Sequence, residues 1–92
     1  MIVGTMAITL YAPWVHSLKE KRIIVKSICA KVSNKFNVSI AEIDAQDVHQ
    51  TIVIGIASIA NQVNQVDKVL DTIINFIETS TEAEIIKIER EI

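Results

Sequence analysis

The sequence predicts a single α+β domain over residues 1–92. Three observations carry that expectation. The length suits one folding unit and leaves little room for a second. Half of the residues are hydrophobic, while glycine occurs twice and proline once, which argues against disorder and against a loop-rich fold. The apolar positions alternate with period two in four segments and follow helical spacing in two, in the order β-α-β-β-α-β.

Ile2 to Tyr11 alternates and carries no charge on either side, the pattern of a central strand. Ala12-Pro13 breaks it. Ser17 then starts a helix. Ser17-Leu18-Lys19-Glu20 has capping-box spacing, in which the Ser and Glu side chains serve each other's free N–H groups. Leu18, Val25, Cys29, Val32 and Phe36 fall on one helical face, and the helix ends near Asn34 to Asn37. Val38 to Ile43 reads as a strand with a polar edge, Ser39 and Glu42, and Asp44 to Gln50 as a polar connection. Thr51 to Ile59 is rich in β-branched residues on both faces and is the other central strand. Asn61 or Asn64 can cap a second helix. Its buried face is Val66, Val69, Leu70, Ile73 and Ile77, and Thr79-Ser80-Thr81 ends it. Glu84 to Ile92 is the last strand, with Ile86, Ile88 and Ile92 facing one way and Lys87, Glu89 and Glu91 the other.

The simplest packing of this order is a ferredoxin-like sandwich, a four-stranded antiparallel sheet with two helices on one face. Its other sheet face is bare. Neither side of the two central strands is properly polar. A bare face carrying Val3, Ala7, Val53 and Ala57, or the Ile-rich alternative, forms an apolar patch. A second copy of the chain is expected to cover part of it, which makes the protein a homodimer.

Composition excludes several classes. The one cysteine, Cys29, cannot form an internal disulfide, so a disulfide-stapled secreted module is excluded. No basic-then-apolar signal segment opens the chain, and the apolar stretch from Ile52 to Ala60 is too short to cross a bilayer. A cytoplasmic setting without a membrane partner is expected. The net charge of −2 lacks the global basic signature of a nucleic-acid binder, and no DNA partner is expected. The distribution is uneven, however. Ser17 to Phe36 holds six basic residues (Lys19, Lys21, Arg22, Lys26, Lys31, Lys35) and one acid, Glu20, whereas the rest holds three basic residues and ten acids.

The start of the first helix is the sharpest feature. A helix N-terminus is electrically positive and disfavours bases by ~0.3–1 kcal/mol each. Here His16, Lys19, Lys21 and Arg22 crowd it, with only Glu20 to offset them. A locally unfavourable choice marks a functional candidate, and its beneficiary is an anion. The candidate phosphate- or RNA-binding residues are therefore His16, Ser17, Lys19, Lys21, Arg22 and Lys26. The competing reading is a solvated charged face whose stems cover apolar surface while their heads pair with the domain's acids.

No catalytic residue, cofactor or metal site is expected, and the chain is not read as an enzyme. The two histidines lie on separate connections. Glu42, Asp44, Asp47 and His49 have ligand chemistry, but nothing in the sequence fixes their geometry. Cys29 sits on the apolar helix face as inert core. Gly-rich phosphate loops, Cys-x-x-Cys and paired carboxylates are missing. Base stacking on the central strands, as in RNA-recognition domains, needs aromatics that Ile2–Leu10 and Ile52–Ala60 lack. The loop Ala12-Pro13-Trp14-Val15-His16 has neither the glycines nor the arginine of acylphosphatase-like enzymes. Trp14 in that loop is either a partner contact or a lid on the helix-sheet core.

The run His16-Ser17-Leu18-Lys19-Glu20-Lys21-Arg22, with Phe36-Asn37-Val38-Ser39-Ile40-Ala41-Glu42, Gln46-Asp47, Gln50 and Gly55, resembles the YlxP-like family. That family is a bacterial group of small domains with no assigned biochemical function. The resemblance extends to the closing Ala83-Glu84-Ile85 to Ile92 segment; His49 departs from it, standing where the family pattern carries Trp. It implies a ferredoxin-like fold and a dimer. Family members are often encoded beside translation-initiation and ribosome-maturation factors, which is association rather than mechanism. Together with the basic first helix, the resemblance favours a non-enzymatic accessory protein that is ribosome-associated or RNA-binding, with rRNA or a ribosomal subunit as partner. The alternative is a homodimeric protein-interaction or small-ligand-sensing module that works through the apolar sheet face or the dimer seam.

Overall fold

The computed structural model describes residues 1–92. Strand β1 (Ile2–Tyr11), helix α1 (Leu18–Lys35), strands β2 (Ser39–Asp44) and β3 (Thr51–Ala60), helix α2 (Val63–Ser80) and strand β4 (Glu84–Glu91) follow in that order. The strands form one antiparallel sheet in the spatial order β2-β3-β1-β4. The two uncharged strands are central, as their composition requires. They pair along their full length, from Ile2 opposite Ala60 to Tyr11 opposite Thr51. With both helices on one face, this is the ferredoxin-like sandwich. Each edge strand carries an irregularity, at Ile43 in β2 and at Ile86 in β4, where one residue drops out of the pairing.

Strand alternation decides which face is covered. Met6, Ile8 and Leu10 of β1 and Ile52, Ile54 and Ile56 of β3 lie under the helices and are buried. The Ile-rich side is therefore the core, and the side bearing Val3, Ala7, Val53 and Ala57 is bare. Helix α2 supplies Val66, Leu70, Ile73 and Ile77, all fully buried. Each contributes about 1.5–3 kcal/mol on transfer from water. Helix α1 supplies Val25, Ile28 and Val32, with Leu18, Cys29 and Phe36 only half-buried at the margins of that face. Ile28, not Cys29, is the central contact. Phe36, just past the end of α1, meets Phe76 of α2 edge-on with ring centroids 5.5 Å apart.

The sheet comes very close to α2 at Gly4. A Cβ there would lie 2.2 Å from Val66 Cγ1, so only glycine permits this approach. On the far side Arg90 of β4 binds Asp67 Oδ1 at 2.9 Å and also Asp71, tying that edge strand to α2. Helix α2 does not use either asparagine as its cap. Ala60 ends β3 and Gln62 takes the N-cap position in extended conformation, without a side-chain bond, which leaves Asn61 outside the helix and Asn64 inside it. Trp14 is not a lid on the core. It is 43% exposed, and Ala12 and Val15 close the core at that end instead.

Candidate nucleic-acid interface

The start of α1 is built around Ser17. Its backbone is extended, and its hydroxyl accepts the Glu20 N–H at 3.1 Å, so the chain turns into the helix there. The Ser17 hydroxyl serves the cap. His16, one residue earlier, is exposed.

Lys21 is placed differently from the expectation that it faces a phosphate. It is 1% exposed, the largest side chain in the fully buried set. Its Nζ lies 3.0 Å from Glu42 Oε2 of β2 and donates to the Ala45 carbonyl at 2.5 Å. Glu42 points inward beside Ile40, on the helix side of the sheet, and its buried Oε2 is held by this charge contact without a well-aligned hydrogen bond. Lys21 thus anchors the β2–β3 connection to α1. The reason lies in helical register: residues 21, 25, 28 and 32 form one stripe, the same spacing as 66, 70, 73 and 77 in α2. Lysine occupies an inward position and needs an inward partner, which Glu42 supplies.

The other basic residues of α1 separate into two groups. Lys31 Nζ donates to the Ser80 carbonyl at the C-terminus of α2, 3.3 Å away, where a cation suits the helix dipole. Lys35 Nζ lies over the Phe76 ring, 4.7 Å from its centroid. Lys19, Arg22 and Lys26, in contrast, are exposed and make no ion pair or hydrogen bond within the chain. Their spacing of three and four residues puts them on one outward stripe, about 10 Å long. Ile23, 63% exposed, lies within it.

Two further surfaces adjoin the fold. At the loop end of the sheet, Ala12 N–H donates to the Gln50 carbonyl at 2.8 Å, and Gln50 Nε2 donates to the Pro13 carbonyl at 2.9 Å. These bonds join the β1–α1 and β2–β3 connections and bring both histidines to one cleft of about 520 Å³, shared with Tyr11, Asp47 and Thr51. The ligand-type residues do not gather. Glu42 faces Lys21, Asp44 Oδ1 accepts the Ala45 N–H at 2.7 Å, and no group of three or more His, Cys, Asp or Glu converges. On the bare face of the sheet, Ala7, Ala41, Gly55 and Ala57 floor a groove of about 510 Å³ bounded by Ile43 and Glu89. Small side chains make this hollow: a Cβ on Gly55 would lie 2.8 Å from Ile43 Cγ2.

Comparison with known proteins establishes the family. The family model described as "Protein of unknown function (DUF503)" matches residues 3–90. The Bacillus subtilis (strain 168) protein named "Uncharacterized protein YlxP" is 46% identical over 68 residues, which cover 74% of each chain. The chain therefore belongs to the DUF503 family, the YlxP-like group that its α1 motif resembles.

Proposed function

We propose that this protein is a non-enzymatic accessory factor that contacts RNA phosphates through the outward stripe of α1. One observation carries the reading. Of six basic residues on α1, the fold engages three, Lys21, Lys31 and Lys35, and the three it leaves unpaired share one face. Unpaired like charges 3 and 4 residues apart repel one another by a few tenths of a kcal/mol per pair. A polyanion removes that cost and releases counterions on binding. His16 extends the stripe at its N-terminal end. The acids of α2 and β4 lie elsewhere on the domain and limit indiscriminate binding. The family's gene neighbourhood makes ribosomal subunits the RNA to test first. Co-sedimentation with purified subunits should be salt-sensitive and lost in the folded variant Lys19→Glu/Arg22→Glu/Lys26→Glu. Equal sedimentation of the variant would overturn the reading.

A second reading concerns the bare sheet face. The outer positions of β1 and β3 carry no charge and β2 adds only Asp44 at its end, while Lys87, Glu89 and Glu91 of β4 put charge along one edge. Val3, Ile43 and Ile59 on this face are about half exposed. At ordinary strand spacing the sheet presents on the order of 500 Å² in projection. Two copies laid face to face would bury on the order of 1,000 Å², the lower limit of a specific interface. We infer a homodimer packed through this face, with the groove over Gly55 at its seam. Such a seam is also where an interaction or ligand-sensing role would reside.

A further inference from the structure

We propose that the cleft between the β1–α1 and β2–β3 connections seats unpaired RNA bases, so that the protein prefers single-stranded to duplex RNA. This rests on the phosphate-contact reading of α1 and adds the class of RNA it selects.

The chain has four aromatic residues and two histidines. Phe36 and Phe76 pack on each other at the edge of the core. The remaining rings all reach the surface at one end of the molecule. Tyr11 is 39% exposed, Trp14 43% exposed, and both His16 and His49 are exposed. Tyr11, His16 and His49 line the same cleft, and Trp14 stands in the loop that forms one wall. Single exposed rings are ordinary on a small domain, but several gathered at one end offer flat faces on which bases stack. They adjoin the first turn of α1, where the free cations begin. Rings beside a cationic track are the two parts of a single-strand platform: bases stack on the rings and phosphates follow the charges.

The cleft itself suits a base better than a phosphate. Asp47 is among its walls and would repel an anion, but a carboxylate accepts from the exocyclic amino group of a base. Val48, about half exposed, supplies apolar contact, and Thr51 a hydroxyl. The cleft is a shallow hollow open to solvent, on which a base lies flat and is not enclosed. Bases inside a duplex are stacked already and cannot enter. The only aromatic on the central strands is Tyr11, the last residue of β1, so the stacking surface lies at the loop end and not across the middle of the sheet.

Trp14 is the sole tryptophan and reports directly on stacking. The protein would be titrated at low salt with a mixed-sequence single-stranded RNA 12-mer, a duplex of the same length, and inorganic polyphosphate. The expected result is quenching of Trp14 emission by the single strand, with affinity roughly ten-fold above that for the duplex. His49→Ala and Trp14→Leu, both exposed positions, should each lower single-strand affinity roughly ten-fold and leave polyphosphate binding unchanged. Equal binding of all three polyanions without quenching would overturn the cleft proposal and leave the α1 phosphate reading standing. No binding to any of them would overturn both.

Discussion

Lys21 of α1 and Glu42 of β2 meet in the interior, with Nζ 3.0 Å from Oε2, and the same ammonium holds the Ala45 carbonyl. The pair joins a helix that carries the free cations to an edge strand and to the connection that forms one wall of the cleft. Removing one partner leaves the other desolvated. Lys21→Met is expected to cost about 3 kcal/mol in urea unfolding, whereas Lys21→Met/Glu42→Leu should recover most of the loss. A loss below about 1 kcal/mol for the single variant would mean that the pair is dispensable.

Cys29 senses the same carboxylate. Burial, and secondarily the Glu42 charge, push its thiol above the ordinary value of 9.0. Alkylation of the native protein near neutral pH should be slower than that of the unfolded chain, and Glu42→Gln should speed it. The linkage sign follows from the direction. A thiol that keeps its proton longer when folded contributes stability that is fully present below the unfolded pKa. That contribution is lost as pH rises past 9.0 toward the folded value. Cys29→Ser should flatten this alkaline decline; an unchanged decline would assign it to other groups.

Much of the architecture was legible because strand alternation and helical spacing are local signals. The first strand is found at Ile2–Tyr11, where its uncharged alternation places it, and Ser17 caps α1 as its spacing requires. Lys21 lies inward because helical register, and not residue type, sets its position. Its register with Val25, Ile28 and Val32, and the inward parity of Glu42 beside Ile40, are both visible in the sequence and mark the pair. The cleft had no such signal. His16 and His49 become neighbours through long-range bonds from Ala12 and Gln50, which no local pattern announces. The same holds for Lys31 and Lys35, whose partners Ser80 and Phe76 belong to the other helix.

Gly4 tests how tightly the sheet meets α2. Gly4→Ala places a methyl group 2.2 Å from Val66 Cγ1 and 3.2 Å from Ile92 Cγ1. Strand and helix must separate to admit it, at a cost of about 1–3 kcal/mol. Combining it with Val66→Ala should restore part of the lost stability, since both act at one contact. Additive losses in thermal unfolding would contradict this packing account.

The bare face makes its own prediction. Sedimentation at micromolar concentration should give a dimer, and Ala57→Glu should give a folded monomer, because the new charge lies on the outer side of β3 and leaves the core untouched. A wild-type monomer under those conditions would exclude the sheet-face dimer.

The central claim is that Lys19, Arg22 and Lys26 meet phosphates, and the salt dependence of affinity tests it most directly. Each neutralised phosphate on a single strand contributes about −0.7 to the slope of log Kobs against log salt concentration. For the single-stranded 12-mer, wild-type protein should therefore have a slope steeper by about 2 than that of the charge-neutral variant Lys19→Gln/Arg22→Gln/Lys26→Gln, whose affinity falls at every salt concentration. Equal slopes for the two proteins would show that the α1 stripe does not carry the contact.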